Sequence, residues 1–451
     1  MKKSINKIIA IGIGVSMMGG SIVPAFAAET SKSSDIINKQ VITTENNSII
    51  NGQVIYSKPI ITLEKVINAA IDNSDKLVLK SKEIKLYRDK MKLQEKTNDF
   101  YESINQNVYD FPYDKLELQE KQTKQSQDFL EDQIANDITG KYNAIVMKQL
   151  ELRKAKTNLE IKNKELDIVR GKVGIGMATD NQLNDKQIEI KSVQDDIKAK
   201  EDSLKNNIDY LGVLTNLNLS NYTLDQNIEY NVFRINGSVD EYLDDKIDAY
   251  LKYNDEMIKL TKDYFDDLKD NGLKGFGITV DGTDTTNLKD IASADIPQGP
   301  PAMTYETDAL GNSSPNYGKY AVDMLGYQKK VQNFSNALTM YSSYLDGKYT
   351  LAESEVKLDD SKKSLKNGLK ECYSTLLDME NKINTLKEQI NSTNTKLRYA
   401  KTQVDIGVMT ENNYKALVLK SEDLDTSLRQ LINTYNTLKD SIQKPWILNN
   451  K

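Results

Sequence analysis

Histidine is absent from all 451 residues. That removes the commonest general base and the commonest transition-metal ligand. The single cysteine, Cys372, excludes an internal disulfide framework. Glycine (22) and proline (8) are scarce, and apolar residues make up only 38% against 28% charged. Such a balance favours long helices with narrow apolar seams over a globule with a thick core. Tryptophan occurs once and phenylalanine 8 times, but tyrosine 24 times, which suits wet helix interfaces. No run after the N-terminus approaches the ~20 apolar residues of a membrane-spanning helix. Nor is there a basic excess: the formal net charge is −6, so nucleic acid is a poor partner.

What is present begins with an export signal. Lys2, Lys3 and Lys7 precede an apolar run from Ile8 to Met18, and Ala25-Phe26-Ala27 forms a small-x-small cleavage site. Residues 1–27 therefore read as a signal peptide. Loss of its three lysines takes the net charge to −9. No cysteine follows to carry a lipid. A polar Ser/Thr/Asn-rich leader occupies residues 28–60.

The most informative feature is an internal repeat. Apolar residues at Leu365, Leu369, Cys372, Leu376, Met379, Ile383, Leu386 and Ile390 alternate spacings of four and three, a heptad seam. Subtracting 231 finds a second seam at Ile134, Ile138, Ile145, Leu152, Ala155 and Leu159. Both seams run into the same break, Val173-Gly174-Ile175-Gly176-Met177-Ala178-Thr179-Asp180 and Val404-Asp405-Ile406-Gly407-Val408-Met409-Thr410-Glu411. Gly176 and Gly407 suit the left-handed conformation that ends a helix. Thr179 and Thr410 are N-caps for the next helix, with an acid in its first turn. Each copy is thus an αα-hairpin, with an ascending arm of at least ~40 residues (roughly 60 Å) and a descending arm of about 30.

The repeat extends upstream. Leu63-Glu64 opens a helix in the first copy and Val239-Asp240-Glu241 in the second, an offset of 176 rather than 231. About 55 extra residues therefore lie in the second copy, most within 270–316, a breaker-rich stretch that reads as a long loop. The expected fold is all-α: two homologous antiparallel hairpins forming a coiled-coil bundle. The first repeat covers 61–216 and the second covers 217–446.

In these features the chain resembles the TolC-type outer-membrane efflux proteins. The shared elements are the leucine-glutamate opening at Leu63-Glu64, the bend at Asn73, and a duplicated hairpin with a glycine-x-x-threonine tip at Gly176/Thr179 and Gly407/Thr410. The resemblance implies a homotrimer whose twelve helices form a hollow cylinder. It also implies a membrane-fusion adaptor at the hairpin tips and an ABC-type or other inner transporter beyond it. Two departures accompany it. Members carry barrel strands of ~9–11 residues, whereas only Val108–Tyr113 and Phe276–Val280 lie in the matching places here. The acids that narrow the tunnel in many members are replaced by Asn413 and Ala416, with Gln182 and Asp185 in the first copy.

Catalytic readings are weaker. Adjacent acids (Asp195-Asp196, Asp244-Asp245, Asp266-Asp267, Asp359-Asp360) point 100° apart on a helix and read as solvated faces. Asp281, Asp284 and Asn287 lack the spacing of a calcium loop. Gly174-Ile175-Gly176 lies between helices, not after a strand, so it is no dinucleotide loop. Cys372 occupies a seam position and reads as a small core residue. No enzyme chemistry and no cofactor are expected. The partner-binding candidates are the tips: Gly176, Met177 and Thr179, and Gly407, Val408, Met409 and Thr410, where Ile175, Met177, Val408 and Met409 place apolar groups in water. The leading function is a TolC-like passive conduit of an export or efflux assembly in the cell envelope. The alternative is a structural or adhesive coiled-coil protein of the cell surface.

Overall fold

The computed structural model describes residues 48–50, 53–55, 58–104, 108–273 and 297–448. The expected signal peptide, most of the polar leader, Phe276–Val280, and Asp281, Asp284 and Asn287 lie outside them. Seven α-helices dominate: α1 (Leu63–Asp72), α2 (Asp75–Ser103), α3 (Phe111–Gly174), α4 (Asp180–Thr215), α5 (Val239–Asp267), α6 (Tyr317–Asp405) and α7 (Glu411–Gln443). Six strand fragments of two or three residues form three pairs: β1 (Ser48–Ile50) with β2 (Gln53–Ile55), β3 (Ile60–Ile61) with β4 (Thr223–Leu224), and β5 (Tyr305–Thr307) with β6 (Ser313–Pro315). No described helix is long and apolar enough to cross a membrane. The all-α fold of two long antiparallel hairpins is observed, α3/α4 and α6/α7. Their ascending helices run to 64 and 89 residues.

Two compact units divide the chain, and neither follows a single repeat. As far as they are described, Glu83–Thr123 and Leu251–Lys363 form one, and Ser31–Lys82, Lys124–Tyr250 and Ser364–Lys451 form the other.

In the first unit, Val108–Tyr113 is not a strand: α3 begins at Phe111. Pro112 lies in its first turn, where a missing N–H costs nothing. Phe111 stacks on Tyr264 of α5 at 4.1 Å between ring centres. α5 then packs Ile258, Phe265 and Leu268 against Tyr341, Tyr344 and Leu351 of α6. α5 continues through Asn254, whose amide oxygen accepts from Gln122. In the stretch expected as a loop, β5 and β6 form a small hairpin, and Asn316 N-caps α6 by accepting from Lys319 N–H at 2.8 Å.

In the second unit the two seams are the cores of the hairpins. Ile138, Ile145, Leu369, Leu376 and Ile383 are essentially inaccessible. Each buried side chain contributes roughly 1.5–3 kcal/mol, whereas the many exposed helix-surface ion pairs contribute about 0–1 kcal/mol each. Packing, not charge, therefore holds the hairpins. The acid pairs serve as pairing partners on helix faces, with Asp196 on Lys200 and Asp244 on Lys366. Cys372 is half-buried, and burial pushes its thiol pKa up.

Ends and connections are tied down by polar contacts. Asn73 ends α1 and donates from its amide to the carbonyls of Val213 and Leu214 near the end of α4. Tyr142 is buried, with its hydroxyl 3.0 Å from the carbonyls of Ile61 and Asp225 beside the parallel β3–β4 pair. The link to the second repeat crosses the second hairpin: Phe233 N–H donates to Tyr435, Ile235 N–H to Tyr373, and Arg234 meets Glu380 through both guanidinium nitrogens. At the C-terminus, Trp446 stacks on Phe129 at 4.2 Å, and its indole N–H donates to Asp132, which also pairs with Lys444.

Candidate functional site: the two hairpin tips

Both tips belong to the second unit. Each ends its ascending helix in the same hydrogen-bonded motif. Gly176 N–H donates to Val173 C=O and Met177 N–H to Lys172 C=O. At the 231 offset, Gly407 N–H donates to Val404 C=O and Val408 N–H to Gln403 C=O. This is a Schellman ending, and it needs a left-handed residue after the last turn. Gly176 has φ +72° and Gly407 has φ +78°, as expected for these two glycines.

The descending helices restart on threonine caps. Thr179 accepts from Gln182 N–H, and the Gln182 side chain accepts from Thr179 N–H at 2.9 Å, a complete capping box. Thr410 accepts from Asn413 N–H, without the reciprocal bond. Gln182 is therefore engaged in ending its own tip.

A Schellman ending usually packs an apolar side chain just after the glycine against an apolar residue in the last helical turn. Here that earlier position is polar, Lys172 in one tip and Gln403 in the other. The apolar residue after each glycine is left bare: Met177 is 73% exposed and Val408 is 73% exposed. The residue before each glycine is equally bare, Ile175 at 71% and Ile406 at 68%. Met409, expected among the exposed groups, is half-buried instead, because it matches Ala178 rather than Met177 in the repeat. Ile406 takes its place. The 231 offset that pairs it with Ile175 was the signal that could have found it.

Below the tips the hairpins differ. Lys162 and Lys186 form a closed set of ion pairs with Glu165 and Glu189 across α3 and α4, at 2.8–3.2 Å. Hydrogen bonds from Lys162 and Lys186 hold the Glu189 carboxyl below its usual range. Burial alone would raise Glu165, but the two ammonium groups outweigh it and lower it as well. The second hairpin has Thr393, Lys396, Leu417 and Lys420 at these positions, so no such set can form.

α7 leans on α3 near the tips. Asn412 donates to the carbonyl of Ile161 at 3.4 Å, and Lys154 pairs with Asp423. Between α3, α4 and α7 lies an open groove of about 770 Å³ whose lining includes Ala155, Ile161, Val193, Ala416 and Leu419. Ala416 is thus part of this groove. Asp185 and Gln182 line a smaller cleft of about 380 Å³ beneath Met177. Among the described residues no group of three or more acids or cysteines is placed to hold a metal ion.

No protein-family model matches the chain, and no curated protein matches it either. Solved structures do. The CmeC outer membrane channel of Campylobacter jejuni is 12% identical, covering 92% of this chain and 94% of that one, with a TM-score of 0.49. CusC is 10% identical over 85% and 91%, with a TM-score of 0.49. The outer membrane protein VceC of Vibrio cholerae is 10% identical over 84% and 94%, with a TM-score of 0.47. Of these solved structures, CmeC is an outer membrane channel and VceC an outer membrane protein, and each is what this chain is similar to.

Proposed function

We propose that this chain is the TolC-like component of an export or efflux assembly. It acts as a passive helical conduit in the cell envelope and docks a membrane-fusion adaptor through its hairpin tips. The observation that carries this reading is the paired exposure of Ile175/Met177 and Ile406/Val408 around two left-handed glycines. Turning the chain requires the glycine and the threonine. It does not require two bare apolar side chains at the water-facing end of each hairpin, repeated at one offset. Exposed apolar groups on stiff, equivalent supports suit a partner that grips both tips alike.

In this reading three copies close the cylinder, so six tips face the adaptor, with an ABC-type or other inner transporter supplying the energy. The groove between α3, α4 and α7 gives the adaptor's helices a lateral seat beside the tips. Export by the N-terminal signal would deliver the chain to the envelope.

The test is site-specific photo-cross-linking in cells from positions 177 and 408, with position 349 on the exposed face of α6 as control. The expected product is one adaptor-sized partner captured from both tips and not from the control. Capture of no partner, or only of surface-adhesion ligands, would favour the adhesive coiled-coil reading.

A further inference from the structure

The four bare apolar groups at the tips differ in one chemical respect. Ile175, Ile406 and Val408 end in aliphatic carbon, whereas Met177 carries a thioether sulfur. At the 231 offset the place of Met177 is taken by Val408, and the two are equally exposed, at 73%. An apolar contact at this position therefore does not need sulfur. What the first tip has there, and the second lacks, is an oxidisable atom.

Exposure singles this atom out within the chain. Removal of Met1, Met17 and Met18 with the signal peptide leaves nine of the 12 methionines. Among the described residues Met177 is the only exposed one. Met147 and Met257 are buried, and Met409 of the second tip is half-buried. Conversion of a thioether to its sulfoxide needs the oxidant to reach the sulfur. The exposure of Met177 is also built in. Its N–H is held by Lys172 C=O at 2.8 Å, next to a Gly176 fixed at φ +72°.

The surroundings suit the oxidised product. Lys172, Gln182 and Lys186 line the cleft beneath Met177. A thioether sulfur is only a weak hydrogen-bond acceptor, whereas a sulfoxide oxygen is polar and accepts readily. Gln182 is taken up by the capping box and Lys186 by its two glutamates. Lys172 is exposed and forms no ion pair among the described residues, so its ammonium is free to donate. The second tip has Gln403 in place of Lys172.

We propose that Met177 is a reversible oxidation site that sets the grip of the first tip on its partner. The Sδ lone pair attacks one oxygen of hydrogen peroxide and the O–O bond breaks. The proton of the transferred hydroxyl moves to the departing one, which leaves as water. Sulfur gives up two electrons, the peroxide takes them, and the product is methionine sulfoxide. Methionine sulfoxide reductases reverse the step, one enzyme for each epimer. An exported chain lies outside the thiol pool of the cytoplasm, where peroxide reaches it more freely. The effect on grip rests on the docking reading above. A sulfoxide pressed into an apolar seat must give up its water or its bond to Lys172, and an unpaired polar group is costly to bury. Oxidation therefore weakens the first tip and leaves the second, with Val408, unchanged.

The site itself is tested on the purified mature protein with limiting hydrogen peroxide and peptide mass mapping. The Met177 peptide should gain one oxygen roughly tenfold faster, or more, than the Met147 and Met257 peptides. The two reductases together should remove that oxygen. Equal rates at the three positions would overturn the proposal. The grip is tested in cells by photo-cross-linking from position 408, read as the ratio of capture with peroxide to capture without. The parent ratio should fall roughly twofold or more, and Met177→Leu should hold its ratio near one. Met177→Gln, polar without any oxidant, should capture less than Met177→Leu. An equal fall in the parent and in Met177→Leu would place the sensitive group elsewhere and also overturn the proposal. Absence of capture before peroxide is added contradicts the docking reading instead, and mass mapping still decides whether Met177 is the oxidation site.

Discussion

Tyr142 and Tyr373 stand 231 positions apart, and each uses its hydroxyl to fasten an extended backbone segment to its own hairpin. The repeat thus conserves not only its seams and tips but also the means by which the chain enters each hairpin. In the first copy the hydroxyl lies between two carbonyls and is deeply buried. In the second it accepts from Ile235 N–H at 3.4 Å, and Tyr435 holds the neighbouring Phe233 N–H at 2.7 Å. The load is shared there. Tyr142→Phe should cost about 1–3 kcal/mol because it removes the hydroxyl donor beside the Asp225 carbonyl, while the Ile61 carbonyl still accepts from Asp225 N–H, and Tyr373→Phe should cost about 1 kcal/mol or less. Urea unfolding of the two variants checks the order.

Tyr142 also predicts an alkaline weakness. Burial pushes its pKa up to about 12 from an ordinary value of 10.0. The folded chain therefore holds a proton that the unfolded chain releases. Stability is fully present below pH ~10 and falls as pH rises towards 12. The difference in unfolding free energy between the parent and Tyr142→Phe should shrink between pH 9 and 11.5; a constant difference would contradict this account of the hydroxyl.

The ion set beneath the first tip predicts a difference between the hairpins in acid. Glu165 and Glu189 have lowered pKa values. Their contribution is present above the ordinary glutamate pKa of ~4.3 and is lost as pH falls through the folded value. Hydrogen exchange, corrected for intrinsic rate, should show the end of the first hairpin opening more readily at pH 3.5 than at pH 6. The second hairpin, which has no such set, should change less.

At Gly347 the backbone of α6 receives the ring of Phe265, and an added Cβ would lie 2.1 Å from a ring atom. Gly347→Ala should therefore destabilise by roughly 1–3 kcal/mol through overpacking. At Gly368, also within α6, nothing lies within 4 Å of the added Cβ. Gly368→Ala should instead be neutral or stabilising by up to ~1 kcal/mol. Thermal unfolding distinguishes the two.

The sole tryptophan makes the C-terminal attachment measurable. Asp132→Asn should weaken the bonds from Lys444 and the Trp446 indole, and the fluorescence of Trp446 should shift to the red as it leaves Phe129. An unshifted spectrum would mean that stacking alone holds the turn.

Much of this fold was legible because its determinants are local and repeated. Two glycines and two threonines at one offset specify both tips, and heptad seams at Ile138/Leu369 and Ile145/Leu376 specify both hairpins. What escaped depends on tertiary contact. The exchange of Met409 for Ile406 turns on which side chain a Schellman turn leaves bare. Pro112 reads equally well as the end of a strand or the first turn of a helix. The bend at Asn73 was legible, but not the contact behind it, in which the Asn73 amide reaches two carbonyls on α4. The start of α6 at Tyr317 was hidden behind a breaker-rich stretch.

The central claim is that the chain works as a closed helical conduit, and that claim requires assembly. Mass photometry of the purified mature protein at nanomolar to micromolar concentration tests it most directly. The account predicts a species of three times the monomer mass that persists on dilution. A single monomeric species across that range would contradict it.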